Sequence, residues 1–343
     1  MNTPPYLRQG DRIGVVTPAR FVTPEDIEPA LKHIQGWGLD IVRGQHLYAR
    51  HHQFAGTDEQ RLADLQAMLD NDSIRAIIFA RGGYGTLRII DRLDFHRLAL
   101  HPKWIVGYSD ITVLHAHLEK QIGTETLHAP MLVGFDGSAE SLASMESLRK
   151  TLFGETLEYS VSPGQFSKIG TAHSTLTGGN LSLLYALAGS ESETDISEKV
   201  LFIEDVDEYL YHIDRMMHQL KRSGKLKNLA GLLVGSMSKM RDNNIPFGKT
   251  AEEIIHEAVK DYQYPVLMGF SAGHEALNNT LIMGRNIILE VSKNEARIQF
   301  EEKVAGTGNK KAGSKFLKSL LYISILFLLI YSLYYFIMNF MLK

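Results

Sequence analysis

No cysteine occurs anywhere in the 343 residues, so thiol nucleophiles, thiolate metal sites and disulfides are excluded together. The opening Met1-Asn2-Thr3-Pro4-Pro5 has no apolar core and does not read as a signal peptide. An excess of one charge is also missing. The 36 Lys and Arg against 39 Asp and Glu leave a formal −3 with interspersed signs, which gives no reason to expect nucleic acid. There is no H-E-x-x-H or comparable ligand set for a zinc hydrolase, no P-loop ending and no G-x-G-x-x-G. Among hydrolytic chemistries serine remains, and nothing calls for a metal or an organic cofactor.

What is present is an α/β pattern. The length suggests about two domains, and 44% hydrophobic residues suffice for real cores. Strand signals at 13–17, 40–43, 76–79 and 104–107 alternate with helix signals at 24–36, 57–70, 86–93 and 111–121. That alternation predicts an N-terminal doubly wound, mostly parallel sheet with flanking helices, binding ligands at the carboxyl ends of its strands. Residues 1–154 form this first domain, 155–170 a linker, and 171–304 a second, mixed α/β domain.

Two turns stand out. Gly107-Tyr108-Ser109-Asp110 follows the apolar run Trp104-Ile105-Val106 and precedes Ile111, Leu114, Leu118 and Ile122 at helical spacing. Gly107 would let the backbone turn, and Ser109 then projects its hydroxyl beyond the sheet edge as a nucleophile, or caps the helix. Ile111 stands where the second glycine of a G-x-S-x-G elbow would be. The other turn, Arg81-Gly82-Gly83-Tyr84-Gly85, follows Ala76-Ile77-Ile78-Phe79 in the same way, and its glycines can expose N–H groups to a ligand. Glu204 ends the apolar run Val200–Ile203, either as a functional acid or as a solvated strand-end residue. His274 lies in the small-residue loop Ser271-Ala272-Gly273 after a strand signal at 266–270. His115, His117 and His128 are its competitors, although His115 and His117, two apart on a helix, face different sides.

These segments, R-L-A-D-L-Q-A-M-L-D-N-D-S-I-R-A-I-I-F-A-R-G-G-Y-G-T-L-R-I-I-D-R-L-D-F (61–95) and P-K-W-I-V-G-Y-S-D-I-T-V-L-H (102–115), resemble the LD-carboxypeptidase family of serine peptidases. Further blocks at 10–19, 176–184, 201–208 and 269–284 continue the resemblance in family order over roughly residues 5–300. One departure is that Ala19-Arg20 follows Thr17-Pro18 where the family more often has a serine. The resemblance implies a Ser109-His274-Glu204 triad assembled across the domain interface. It also implies an oxyanion hole from the backbone N–H groups of Gly83 and Asp110, and acyl transfer through an acyl-enzyme. The implied activity is hydrolysis of the L,D-bond before the terminal D-alanine of murein tetrapeptides in cell-wall recycling. A related subgroup removes microcin C-type peptide-nucleotide antibiotics, and an inactive murein-peptide binding module is the non-enzymatic alternative. Homodimers are implied as well. Arg81 is the candidate donor for the D-alanine carboxylate.

The C-terminus carries a different signal. Residues 319–342 contain no charge and are rich in Leu, Ile, Phe and Tyr, long enough to cross ~30 Å of bilayer as a helix. The basic spacer 305–318 supplies Lys310, Lys311, Lys315 and Lys318, against Lys343 alone beyond the span. The expectation is a C-terminal transmembrane helix that tail-anchors cytoplasmic catalytic domains to the inner membrane.

Overall fold

The computed structural model describes residues 1–303. Along its first half run β1 (Arg12–Val16), α1 (Pro24–Gln35), β2 (Asp40–Arg43), α2 (Asp58–Asp70), β3 (Ile74–Phe79), α3 (His96–Leu100), β4 (Trp104–Gly107), α4 (Thr112–Ile122), β5 (Thr126–His128) and α5 (Ala139–Leu152). In space these parallel strands follow the order 2-1-3-4-5. The order reverses between β1 and β3, so a crevice opens at the carboxyl ends of the central strands. Residues on both faces of β1, β3 and β4 are buried, among them Ile13, Val15, Ile77, Ile78, Trp104 and Val106. Continuous apolar runs are what a strand covered by helices on both sides requires.

Local signals fix the helices. Thr57 and Gln60 cap α2 reciprocally: the Thr57 N–H donates to Gln60 Oε1 at 2.9 Å and the Gln60 N–H to Thr57 Oγ1 at 3.3 Å. The other end of α2 is closed by a buried lysine, whose Nζ donates to the carbonyls of Met68, Leu69 and Asn71, each at 2.9 Å. This is Lys103, and burial lowers its pKa to about 8.

The second half contains β6 (Glu158–Val161), β7 (Gly170–Asn180), α6 (Leu181–Ala186), β8 (Val200–Val206), α7 (Leu210–Arg222), β9 (Gly231–Ser238), α8 (Ala251–Val259), β10 (Val266–Leu267), β11 (Leu281–Met283), β12 (Asn286–Val291) and β13 (Ala296–Phe300). Its sheet has the order β10-β9-β8-β7-β12-β13-β6. Strands β7 to β10 are parallel, and β7, β12, β13 and β6 pair antiparallel. The molecule is therefore a two-domain mixed α/β fold. One strand crosses between the halves: β11 pairs antiparallel with β5 and closes the edge of the first sheet. The segment between β10 and β11 thus passes from one sheet to the other.

Two expectations meet a different structure, and a third lies beyond the described residues. The helix read over 86–93 is two 3-10 turns, Thr86–Arg88 and Ile90–Arg92, because Ile89 at φ −121° and ψ −13° leaves the helical region. Residues 155–170, read as a linker, include β6, which pairs with β13. The transmembrane helix expected over 319–342 lies outside the described residues, and among the described residues no helix is long and apolar enough to cross a membrane.

Candidate active site

One residue, Tyr108, separates the end of β4 from Ser109, which opens a 3-10 turn, Ser109–Ile111, that runs into α4. Its φ is +61°, in the left-handed region, while Gly107 has no positive φ. The sharp bend therefore falls on the serine itself, at a cost of roughly 1–2 kcal/mol for a residue with a side chain. The role of Gly107 is close packing, since a Cβ there would stand 2.9 Å from Ile111 Cγ1. A strained strand-to-helix turn that exposes a serine hydroxyl is the physical content of a nucleophile elbow, here without its second glycine.

Glu204 comes from β8, on the other sheet. It is fully buried, at a register shift against β9 between Ile203 and Asp205. His274 hangs from the β10–β11 segment that crosses between the sheets, so the fold brings all three side chains to one junction. Because a carboxylate can only accept, His274 Nδ1–H donates to Glu204 Oε2 at 2.7 Å, which leaves Nε2 to accept from the Ser109 hydroxyl at 3.0 Å. Burial disfavours a charge on His274. The hydrogen bond and negative charge of Glu204, with Asp205 behind it, outweigh that and raise its pKa above the ordinary histidine value. Tyr108 packs edge-on against the imidazole with ring centroids 4.8 Å apart.

The two turns read from the sequence are tied together by a group the sequence did not single out, the side chain of Asp110. It is fully buried and accepts from the Thr86 N–H at 2.9 Å and the Thr86 hydroxyl at 2.6 Å. Its Oδ1 has no partner among the described residues, and burial raises its pKa. Gly82 lies against the serine: a Cβ there would be 3.2 Å from Ser109 Cβ and 3.4 Å from its Oγ. The N–H groups of Gly83 and Asp110 donate to no acceptor among the described residues. They remain available to a developing oxyanion.

A second polar set secures Glu204 from behind. Asp205 accepts from Asn180 Nδ2 at 2.9 Å and from the N–H and hydroxyl of Ser182 at 2.9 and 2.6 Å, and burial raises its pKa to about 6. The Asn180 N–H in turn donates to Thr112 Oγ1 at 3.0 Å, at the start of the helix that follows Ser109. Asp205, Asn180, Ser182 and Thr112 were missed as a set. The glycine pair before Asn180 was their visible signal, because it lets β7 approach α4: a Cβ on Gly179 would be 2.6 Å from Thr112 Oγ1.

The competing histidines are placed elsewhere. His115 is buried with Nε2 2.9 Å from Gly107 O, and burial lowers its pKa to about 4. His117 Nδ1 meets Ser192 Oγ at 2.8 Å. His128 is fully buried between Tyr108 and Phe202, with neither ring nitrogen partnered among the described residues. Arg81 is half-buried and donates from Nη1 to Phe21 O at 3.3 Å. Among the described residues no group of three or more acids and histidines is arranged to hold a metal ion. A cavity of about 120 Å³ beside Tyr108 is lined by Met131, Phe135, Met145, Glu275 and Asn278. The larger surface hollow of about 390 Å³, between Lys120, Asp195 and Lys225, involves none of the residues above.

Residues 13–129 match the LD-carboxypeptidase N-terminal domain and residues 173–289 the LD-carboxypeptidase C-terminal domain. The chain is 36% identical over 303 residues to a probable murein peptide carboxypeptidase of Bacillus subtilis (strain 168), covering 86% of this chain and 94% of that protein. Among solved structures, a muramoyltetrapeptide carboxypeptidase from Oxalobacter formigenes is similar at TM-score 0.76 and 28% identity, over 84% of this chain and 98% of the other. The microcin C7 self-immunity protein MccF is similar at TM-score 0.79 and 22% identity, over 88% and 99%. The second structural likeness is one of fold alone.

Proposed function

The chain belongs to the LD-carboxypeptidase family and is a serine-type LD-carboxypeptidase, and from that premise we propose that it removes the terminal D-alanine from murein tetrapeptides through a Ser109-His274-Glu204 triad. The observation that carries this reading is the continuous hydrogen-bond chain from a buried carboxylate through the imidazole to a serine hydroxyl at a strained turn. In the first step Ser109 Oγ attacks the carbonyl of the L-centre while His274 Nε2 takes its proton. Glu204 holds the imidazole in the required tautomer and stabilises the imidazolium that forms. The Gly83 and Asp110 N–H groups receive the oxyanion. Collapse of the tetrahedral intermediate expels D-alanine with its amine protonated by His274, leaving an ester on Ser109. Water, deprotonated by the same imidazole, then hydrolyses that ester and restores the hydroxyl.

The reading extends to the whole chain. We assign the serine and both oxyanion donors to a unit of residues 1–154, and Glu204 and His274 to a unit of residues 171–304. Residues 319–342 are proposed as an anchor holding these units on the cytoplasmic face of the membrane, which detergent-dependent extraction of the full chain tests. A homodimer is proposed as its assembly state, which sedimentation reads directly.

Hydrolysis of a peptide-nucleotide antibiotic is the second reading, favoured by the fold shared with the self-immunity protein. Wild-type chain offered a muramoyl tetrapeptide and a microcin C-type conjugate in parallel discriminates the two. Release of D-alanine with the conjugate intact supports the first reading, and the converse the second. Binding of tetrapeptide without turnover of either would leave a murein-peptide binding module.

A further inference from the structure

A carboxypeptidase must tell the last residue of a peptide from an internal one, and what distinguishes it is a free carboxylate two bonds beyond the scissile nitrogen. Such a group calls for a cation within reach of the attacked carbonyl. Several arginines neighbour the Gly83 turn, and most are engaged. Arg61 is buried and donates to Pro18 O and Asp58. Arg88 is held by both oxygens of Asp58 at 2.7–3.0 Å. Arg50 stacks on the Phe21 ring at 4.2 Å, and Arg81 donates to Phe21 O.

Arg20 is different. It is exposed, and its guanidinium makes no hydrogen bond or ion pair among the described residues. Its stem nevertheless lies across the turn: Cγ, Cδ and Nε stand 2.7, 2.6 and 3.0 Å from where a Cβ on Gly83 would be. Its backbone is fixed, because the Arg20 N–H donates to Gly82 O at 3.3 Å and Arg20 O accepts from the Thr17 hydroxyl at 2.9 Å. An anchored root and an unpaired head therefore rest on the turn whose Gly82 leaves space for Ser109, since a Cβ there would crowd the serine side chain.

We propose that Arg20 binds the C-terminal carboxylate of the departing residue and sets the preference for a free terminal acid. This rests on the carboxypeptidase reading above. The test compares kcat/KM for a muramoyl tetrapeptide and for the same peptide amidated at its C-terminus, in wild-type chain and in Arg20→Ala, Arg20→Lys and Arg81→Ala. Because each variant supplies its own ratio of acid to amide, losses from misfolding cancel. The expected result is a fall in that ratio of about 10- to 100-fold in Arg20→Ala, partial recovery in Arg20→Lys, and a wild-type ratio in Arg81→Ala. An Arg20→Ala ratio equal to wild type overturns the Arg20 assignment and leaves the activity standing. No release of D-alanine by wild-type chain overturns the carboxypeptidase reading and this proposal together.

Discussion

Replacing Gly273 by alanine alters no residue of the triad, yet it is expected to disable it. Gly273 has a φ of +119°, and a Cβ there would stand 2.6 Å from Ser236 Oγ and 2.7 Å from Glu204 Oε2. Ordinary contact begins near 3.4 Å, so the carboxylate would have to move by about 0.7 Å. The oxygen that moves is the one holding His274 Nδ1 at 2.7 Å. A misplacement of about 1 Å in a reacting constellation costs on the order of 100-fold, so a fall in kcat of roughly 30- to 100-fold is expected with little change in KM. The positive φ adds about 1–3 kcal/mol of backbone strain. At about 2–4 °C per kcal/mol for a chain somewhat smaller than this one, the melting temperature should drop by several degrees. Steady-state D-alanine release and a thermal melt on the same preparation give both numbers. A Gly273→Ala protein with wild-type kcat and wild-type melting temperature would refute the claim that this backbone position holds Glu204 in place.

Other perturbations test other parts of the site. His274 must be neutral to accept a proton, and its pKa is raised, so kcat/KM should fall as pH drops through a midpoint above the ordinary histidine value near 6.5. Glu204→Gln should move that midpoint downward and lower kcat by roughly 10³- to 10⁴-fold, and an unmoved acid limb would contradict Glu204 as the cause. Lys103→Met strips three carbonyls at the end of α2 of their donor, which should cost about 2–4 kcal/mol in urea unfolding while the folded fraction keeps its activity. His115, with its folded pKa lowered to about 4, is neutral in the fold at pH values where the unfolded chain binds a proton. Its contribution to stability is therefore complete above about pH 6.5 and declines as pH falls toward 4, by up to about 3 kcal/mol, read as a falling urea midpoint over that window. His128→Phe keeps an aromatic ring against Phe202 and Tyr108 and removes two unpartnered nitrogens, so it should hold or raise the melting temperature; a fall of many degrees would show those nitrogens to be paired.

The central strands, their parallel order and the position of Ser109 were legible because buried strands carry continuous apolar runs and the helices between them carry periodic ones. The 3-10 turns at 86–92 were not. Leu87, Ile89 and Ile90 imitate a helical face over a few residues, and only the buried carboxylate of Asp110, binding Thr86 from another loop, shows why the chain departs from it. Strand β6 was hidden by its surroundings, since Ser162, Pro163 and Gly164 directly after it read as a linker and its partner, β13, lies far along the chain. Family resemblance supplied the pairing of Ser109, Glu204 and His274. The residues alone could not, because the contact between Ser109 and His274 spans two sheets and depends on β11 crossing from one to the other. The support behind Glu204, from Asp205 through Asn180 to Thr112, is likewise a product of packing between the halves.

The most direct test of the account is release of D-alanine from a muramoyl tetrapeptide, followed by mass spectrometry, with wild-type chain and Ser109→Ala side by side. The account predicts release by the wild type and a loss on the order of a thousandfold or more in the variant; equal release by both would contradict Ser109 as the nucleophile.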